Sequence, residues 1–280
     1  MLYSPEINIL LAALLGLVIG SFLNVVIHRL PKMMELEWAA ECASRSASTS
    51  TPEAPYNLRV PHSSCPHCGH GIRWHENLPV LSYVLLRGKC SACGARISVR
   101  YPTIELLTAA LFATCVWQWG ITPSAGAWAL FSALLLTLAA IDWDTTLLPD
   151  DLTLPLLWAG LCASALGWIG TPFIASFWGA VTGYMSLWIV FWAFKLATGK
   201  DGMGYGDFKL FAALGAWFGW PALVPIILMA SVVGAVVGIA LKFTHNLREG
   251  GYVPFGPFLA IAGFTALWVN PAQMLVFMGL

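Results

Sequence analysis

The chain has 280 residues, with fourteen Lys and Arg residues against fourteen Asp and Glu residues, and 58% of its residues are hydrophobic. Only 10% are charged, whereas soluble domains usually carry about 25%. This composition excludes an ordinary soluble enzyme, and the lack of a basic excess argues against nucleic-acid binding. The apolar stretches are continuous rather than alternating, which argues against an outer-membrane barrel. The composition therefore predicts an all-α polytopic membrane protein.

Eight apolar stretches predict about eight transmembrane helices. They cover residues 7–27, 104–119, 125–141, 152–169, 174–196, 208–220, 222–241 and 257–278. The stretch 208–220 is short for a hydrocarbon core of about 30 Å, so seven spans is the alternative. The first stretch lacks the flanks of a signal peptide and is predicted to be retained. We therefore divide the chain into a first helix (1–27), a polar loop domain (28–101) and a seven-helix domain (102–280).

The basic residues predict the orientation of these helices. With eight spans, all fourteen Lys and Arg residues lie in the loops of one face. The positive-inside rule makes that face cytoplasmic and places both termini on the opposite, outer side. The loop 28–101 is then cytoplasmic, and its part 33–56, which is rich in Ala, Ser, Glu and Thr, is expected to be solvated and flexible.

Four cysteines in this loop form two C-x-x-C pairs, Cys65/Cys68 and Cys90/Cys93. Their spacing predicts a four-thiolate zinc site, with two disulfides or an iron–sulfur cluster as alternatives. Disulfides rarely persist in the reducing cytoplasm. Four protein ligands leave zinc no open position for water, so the predicted zinc is structural and staples a small polar loop.

Two aspartates abut apolar helices at the predicted cytoplasmic face. Asp142 follows the stretch 125–141, and Asp207 precedes the stretch 208–220. Two carboxylates in one low-dielectric cleft cannot easily both ionise, so one acts as a base while the other keeps its proton. An aspartic peptidase needs this pair, although either residue could instead be a helix cap.

Other residues around the two aspartates have simpler interpretations. Gly204 and Gly206 permit a bent backbone beside Asp207 and close approach of an extended substrate. They are not a dinucleotide fingerprint, because no strand precedes them. Asp150 or Asp151 fits an N-cap of the next helix, whereas Asp144 and Asp201 fit solvent-facing loop positions.

In this order the motifs resemble those of bacterial type IV prepilin peptidases, which are bifunctional leader peptidases and N-methyltransferases. The matching stretches are GSFLNVVIHRLP at 20–31, the two C-x-x-C pairs, RYPTIE at 100–105, ID at 141–142, LPD at 148–150, GMGYGDFK at 202–209 and PFGP at 254–257. The resemblance covers nearly the whole chain and is weakest between residues 34 and 55.

The resemblance implies that Asp142 and Asp207 are the catalytic aspartates and that Cys65, Cys68, Cys90 and Cys93 hold zinc. It implies prepilin or pseudopilin substrates, cleaved after a glycine that follows a short basic leader, in a bacterial inner membrane. It also implies methylation of the new N-terminal amine with S-adenosylmethionine.

The binding residues for S-adenosylmethionine are not identified by the sequence. Residues in the matching stretches are candidates, and each could equally be a polar anchor at the membrane interface: Asn24, His28, Arg29 and Glu105. The acidic residues near the dyad could attract the basic leader or simply be solvated: Asp144, Asp150, Asp151 and Asp201. A transporter, or a noncatalytic assembly platform with a structural zinc loop, is the alternative function.

Overall fold

A computed structural model describes residues 4–45, 55–244, 253–269 and 271–277. Within these ranges the protein is helical, and the only β-type pairing is two isolated bridges in the loop region. The α-helices are α1 (Pro5–Arg45), α2 (Leu81–Leu85), α3 (Arg100–Trp119), α4 (Pro123–Thr145), α5 (Asp150–Ala165), α6 (Phe173–Thr198), α7 (Tyr205–Phe218), α8 (Leu223–Phe243), α9 (Gly256–Trp268) and α10 (Pro271–Phe277). Two 3₁₀ helices cover Trp74–Asn77 and Trp220–Ala222.

Four helices in the described chain have the length and apolar composition to cross a membrane. They are Pro5–Ser44 within α1, then α4, α6, and the segment Trp220–Phe243 that contains α8. The all-helical class is thereby confirmed. The number of eight crossings remains a prediction, because the other apolar stretches form shorter or less apolar helices.

The chain divides into two compact units, Met1–Ala125 and Gly126–Leu280. In the first unit, α1 packs along α3 through small residues. A Cβ atom at Gly16 would lie 2.6 Å from the Ala109 Cα atom, and one at Gly20 would lie 2.7 Å from the Glu105 Cα atom. The two helix backbones can approach this closely only because glycine has no side chain.

Helix α1 is longer than the sequence predicts. Its 41 residues continue through Pro31 to Arg45, a length of about 61 Å at 1.5 Å per residue. The stretch after residue 33 was expected to be flexible, but its Met, Leu, Glu and Ala residues are good helix formers and extend the helix. The rest of that stretch, residues 46–54, lies outside the described ranges.

Helix α7 is the central element of the second unit. Ten of its fourteen residues are buried, and it packs against α5, α6 and α9. Trp217 contacts the rings of Trp128 and Phe131 on α4 at centroid distances of 5.0 and 4.9 Å, and its Nε1 atom donates a hydrogen bond to the Leu156 carbonyl at 2.8 Å. A helix that is apolar on nearly all sides is typical of the interior of a bundle.

The α6–α7 contact depends on two facing glycines. A Cβ atom at Gly179 would overlap the Gly215 carbonyl, and one at Gly183 would lie 2.8 Å from the Phe211 carbonyl oxygen. Ser176 strengthens this contact, because its hydroxyl donates a hydrogen bond to the Ala216 carbonyl at 2.5 Å. The spacing of Gly179 and Gly183 is the small-x-x-x-small pattern of close helix pairs.

Gly179→Ala should therefore destabilise the protein by about 2 kcal/mol, since the added methyl group meets backbone that cannot move alone. The control is Gly126→Ala on α4, where no heavy atom lies within 4 Å of the added Cβ. Alanine favours the helix at this open site by up to about 1 kcal/mol. Thermal unfolding in detergent should show opposite signs for the two variants, and equal effects would contradict the packing argument.

Candidate active site and metal centre

The first unit brings the four predicted metal ligands together. The Sγ atoms of Cys65, Cys68, Cys90 and Cys93 all lie within 4.8 Å of one another, and those of Cys65 and Cys93 are 3.8 Å apart. Zinc bound to four sulfurs at about 2.3 Å has a tetrahedral edge of about 3.8 Å. No disulfide joins these four cysteines, so the donor set fits a tetrahedral metal ion.

The two C-x-x-C pairs have matching backbones. The N–H of Gly69 donates to the Cys65 carbonyl at 2.9 Å, and that of Gly94 donates to the Cys90 carbonyl at 3.0 Å. The two glycines have φ values of 71° and 73°, a region that side chains rarely tolerate. The pKa of Cys65 is lowered to about 7 because backbone N–H groups of Cys68 and His67 donate to its sulfur. A thiol of this kind is prepared to bind metal as a thiolate.

Glu76 connects the two cysteine pairs. Its carboxylate accepts a hydrogen bond from the Arg73 N–H at 2.9 Å and from the Ser91 hydroxyl at 2.5 Å, and it lies 3.3 Å from the His70 Nε2 atom. His70 follows the first pair, whereas Ser91 lies inside the second. The same contacts lower the pKa of Glu76 to about 2, with the Arg73 N–H as the largest cause. The carboxylate is therefore charged at neutral pH, and its contacts fix the spacing of the two C-x-x-C pairs.

Three polar side chains of α1 and α3 hold this loop and the first turn of α3. The buried Arg29 guanidinium donates to the carbonyls of Asn57 and Pro61 at 2.9 and 2.6 Å. Asn24 donates to the Tyr101 carbonyl at 3.1 Å.

On α3, the Glu105 carboxylate accepts the Val80 N–H at 2.7 Å. Of the four candidates for methyl transfer, Arg29 and Glu105 thus hold the loop, Asn24 connects α1 to the first turn of α3, and His28 is exposed. Whether these residues also lie at the membrane interface or bind S-adenosylmethionine stays a prediction.

The second unit places both predicted catalytic aspartates inside the helical bundle. Asp142 lies near the end of α4 and is 4% exposed, and Asp207 lies in the first turn of α7 and is 7% exposed. Their carboxylates are near enough to interact electrostatically. Both are buried, on two different helices, and their catalytic role stays a prediction.

Each of these carboxylates accepts a hydrogen bond from a glycine N–H. The Gly256 N–H donates to the Asp142 Oδ2 atom at 2.9 Å, and the Gly204 N–H donates to the Asp207 Oδ2 atom at 3.2 Å. Backbone donors of this kind hold a carboxylate in one orientation and offset part of the cost of burying it.

The glycines near Asp207 act through space rather than through an unusual backbone. Gly204 has ordinary extended dihedrals of −82° and 151°, and neither it nor Gly206 has a positive φ. A Cβ atom at Gly206 would lie 2.6 Å from the Leu148 Cβ atom. The backbone at these glycines is therefore not bent as expected. Gly206 instead allows its backbone to lie close to Leu148.

Two of the surrounding acidic residues have basic partners. Lys209 contacts both carboxylate oxygens of Asp150 at 2.6 and 2.7 Å, and Lys195 lies 2.8 Å from Asp201. The N-cap position of α5 is Pro149, so Asp150 and Asp151 lie in the first helical turn rather than at the cap. Carboxylates in a first turn still stabilise the positive end of the helix. Because each is paired with a lysine, Asp150 and Asp201 attract a basic peptide less strongly than an unpaired carboxylate would.

Sequence reasoning did not assign a role to Gly256 or to Glu76. Gly256 is 114 residues away from its partner Asp142, and nothing local relates the two. The motif PFGP at 254–257 was noted for its resemblance alone. For Glu76 the available signal was its position between the two cysteine pairs.

A buried carboxylate pair in a helical membrane protein defines a candidate intramembrane aspartic peptidase. Comparison with known proteins identifies a peptidase family. Residues 14–119 match the bacterial peptidase A24 N-terminal domain, and residues 129–239 match the type IV leader peptidase family.

Curated relatives are similar over almost the whole chain. A prepilin leader peptidase/N-methyltransferase of Pseudomonas aeruginosa is 55% identical over 266 residues, which cover 94% of this chain and 91% of that protein. Proteins of the same name from Stutzerimonas stutzeri and Aeromonas hydrophila are 51% and 52% identical, with the same coverage. No solved structure gives a significant match. The chain belongs to the type IV leader peptidase family and is a peptidase by that membership.

Glu76→Gln should weaken metal binding by about 10-fold or more, because residues behind the ligands orient them and typically contribute this much. Zinc affinity of the purified full-length protein can be measured by competition with a chromophoric chelator. Ser91→Ala removes one of the same hydrogen bonds from the other side and should weaken binding in the same direction. The matched control is Glu37→Gln on an exposed position of α1. Unchanged affinity in Glu76→Gln would show that the carboxylate does not organise the cysteines.

Proposed function

We propose that this protein is an integral-membrane aspartic endopeptidase that removes the basic leader of type IV prepilins or pseudopilins and then methylates the new N-terminus. The buried pair of Asp142 and Asp207, with each carboxylate fixed by a glycine N–H, carries the proposal. Membership of a peptidase family, and relatives named as prepilin leader peptidase/N-methyltransferase, support it. No observation favours a transporter or a noncatalytic platform over this function.

The peptidase step needs one ionised and one protonated aspartate. The ionised carboxylate takes a proton from a water molecule, and the resulting nucleophile attacks the carbonyl carbon of the leader glycine. The protonated carboxyl group donates a hydrogen bond to the carbonyl oxygen. The leaving amine then receives a proton as the C–N bond breaks. Because the two carboxylates titrate as a coupled pair, neither role is assigned to a particular residue.

The position of the dyad suits a substrate with a basic leader and an apolar helix. We propose that the protein lies in a bacterial inner membrane, with both termini periplasmic and with the loop 28–101 and the dyad at the cytoplasmic face. The leader could then remain in the cytoplasm while the apolar helix of the prepilin stays in the bilayer. Exposed acidic residues such as Asp151 would mainly raise the rate of encounter, in a salt-dependent way.

We propose that the four cysteines bind a structural zinc ion. Their sulfur atoms fit a tetrahedron, and four protein ligands leave no position for a catalytic water. The zinc would hold the loop in one conformation and would take no part in peptide cleavage. Since binding requires thiolates, metal affinity should fall as the pH is lowered.

We propose S-adenosylmethionine as the methyl donor for the second reaction. The neutral form of the new N-terminal amine would attack the donor methyl group. The N–C bond would form as the S–C bond breaks, S-adenosylhomocysteine would leave, and the amine would lose a proton. The loop 28–101 is too small to contain a soluble nucleotide-binding fold. The donor must therefore bind where the loop meets the membrane helices, at residues that we do not assign.

Asp142→Ala and Asp207→Ala should each lower leader cleavage by several orders of magnitude, because a peptidase dyad works as a unit. The purified protein would be reconstituted with a prepilin and S-adenosylmethionine, and mass spectrometry would identify the product N-terminus. Wild type should give a product shortened after the leader glycine and heavier by one methyl group. Asp151→Ala, at an exposed position of α5, is the matched control and should keep a kcat close to that of the wild type, because a surface charge affects encounter rather than the chemical step.

Cleavage at the wild-type rate in either dyad variant would reject the aspartic mechanism. A shortened product without the methyl group would remove the transferase part of the proposal. Circular dichroism of each variant would show that the helices remain folded.

A further inference from the structure

We infer that Gly256 of the PFGP motif is a positioning residue for Asp142: its N–H orients the carboxylate, and its missing side chain leaves the space that the carboxylate occupies. The inference rests on the proposed function, since it assigns Asp142 to the reacting pair. It gives a role to the PFGP motif, which has no ionisable or nucleophilic side chain.

The first argument concerns the hydrogen-bond acceptors of the backbone N–H groups at the start of α9. Helix starts leave such donors without partners inside the helix. Here Pro257 has no N–H, and the N–H groups of Phe258 and Leu259 donate to the Phe255 carbonyl. The Gly256 N–H donates to the Asp142 carboxylate at 2.9 Å. A buried donor must find an acceptor, and the acceptor is a candidate catalytic oxygen.

The second argument is the space around this hydrogen bond. A Cβ atom on Gly256 would lie 2.5 Å from the Asp142 Oδ2 atom and 3.1 Å from its Cγ atom. Real Cβ atoms do not approach so closely, so an alanine would displace the carboxylate. Gly256 is not among the residues with a positive φ. Its backbone conformation is therefore open to alanine, and the requirement for glycine comes from Asp142.

The third argument is that the two glycine motifs meet the same side chain. Leu148 follows α4, and its Cδ1 atom would lie 3.3 Å from a Cβ on Gly256, while its Cβ atom would lie 2.6 Å from one on Gly206. The motifs at 202–209 and 254–257 thus approach one residue from two sides. Leu148 fixes the separation between the backbone that holds Asp142 and the backbone beside Asp207.

The first test is Gly256→Ala in the full-length protein, reconstituted with a prepilin. We expect kcat for cleavage to fall about 100-fold, as for a reacting group displaced by about 1 Å, with a smaller change in KM. Methylation of a leader-free pilin peptide, which needs no dyad, should continue at the wild-type rate. This split between the two activities distinguishes a positioning role from general damage to the fold.

A second variant changes the hydrogen bond without adding an atom. Replacing Gly256 by glycolic acid through cell-free synthesis turns the amide into an ester and removes the N–H. Because the hydrogen bond that orients the Asp142 carboxyl group is lost, we expect cleavage to fall about 10-fold. This variant has no clash, so it decides the question if Gly256→Ala does not fold.

The matched control is Gly263→Ala on the same helix. Its Cβ atom would lie 2.7 Å from the Leu214 Cδ2 atom and 3.2 Å from the Leu135 Cδ2 atom, away from both aspartates. Any effect of this change should lower the melting temperature and both activities together. Comparison with it isolates what is particular to Gly256.

The outcomes separate this inference from the proposed function. Wild-type cleavage in Asp142→Ala would reject the proposed function and the inference together. Loss of cleavage in Asp142→Ala, but wild-type cleavage in either Gly256 variant, would overturn the inference and leave the proposed function standing. A parallel loss of cleavage and methylation in the ester variant would also overturn it, because it would show a structural role alone.

Discussion

The arrangement of the second unit depends on the burial of two carboxylates in an apolar helical bundle. A buried carboxylate without partners loses several kcal/mol of hydration, and here the Asp142 and Asp207 side chains are 4% and 7% exposed. Hydrogen bonds from the main-chain N–H groups of Gly256 and Gly204 offset part of this loss. These donors are available only because α7 and α9 begin beside the two aspartates. The positions at which α7 and α9 begin are therefore tied to the need of each buried carboxylate for a hydrogen-bond donor.

Close helix packing makes this arrangement possible. Glycines at the α6–α7 contact let two backbones approach each other, and α7 becomes the buried centre of the unit. A polar start on a helix that is otherwise surrounded by apolar side chains has little freedom to move. The loop of the first unit must also be held in one conformation, but it has no large apolar core to do so. There the order comes from the cysteine cluster, from Glu76, and from the Arg29 and Glu105 contacts to backbone.

The sequence predicted the features that are local or chemically distinctive. Long apolar stretches give helices directly, and the spacing of Cys65, Cys68, Cys90 and Cys93 predicted a cluster that the structure brings within 4.8 Å. The position of Asp142 and Asp207 next to apolar stretches predicted a buried pair. The continuation of α1 to Arg45 was missed because polar composition was taken to indicate flexibility, although Glu, Met and Ala favour helices.

The missed parts are contacts between distant segments. No periodicity or spacing relates Gly256 to Asp142 across 114 residues, and a glycine with ordinary dihedrals gives no local signal. The contact of Gly206 with Leu148 is of the same kind. Likewise, the pairing of Asp150 with Lys209 joins the first turns of two helices. Such contacts follow from how helices pack, which a single sequence does not specify.

The use of main-chain donors has a consequence for transplanting this chemistry into designed proteins. A designer who copies two aspartates onto neighbouring helices of another bundle would reproduce the acids without their supports, because the supporting groups belong to the peptide backbone. The design would have to begin one helix beside each acid, and to leave a side chain out where that helix starts. In this protein the shape of the site depends partly on an absent side chain, because a Cβ atom on any larger residue at position 256 would occupy the place of an Asp142 carboxylate oxygen.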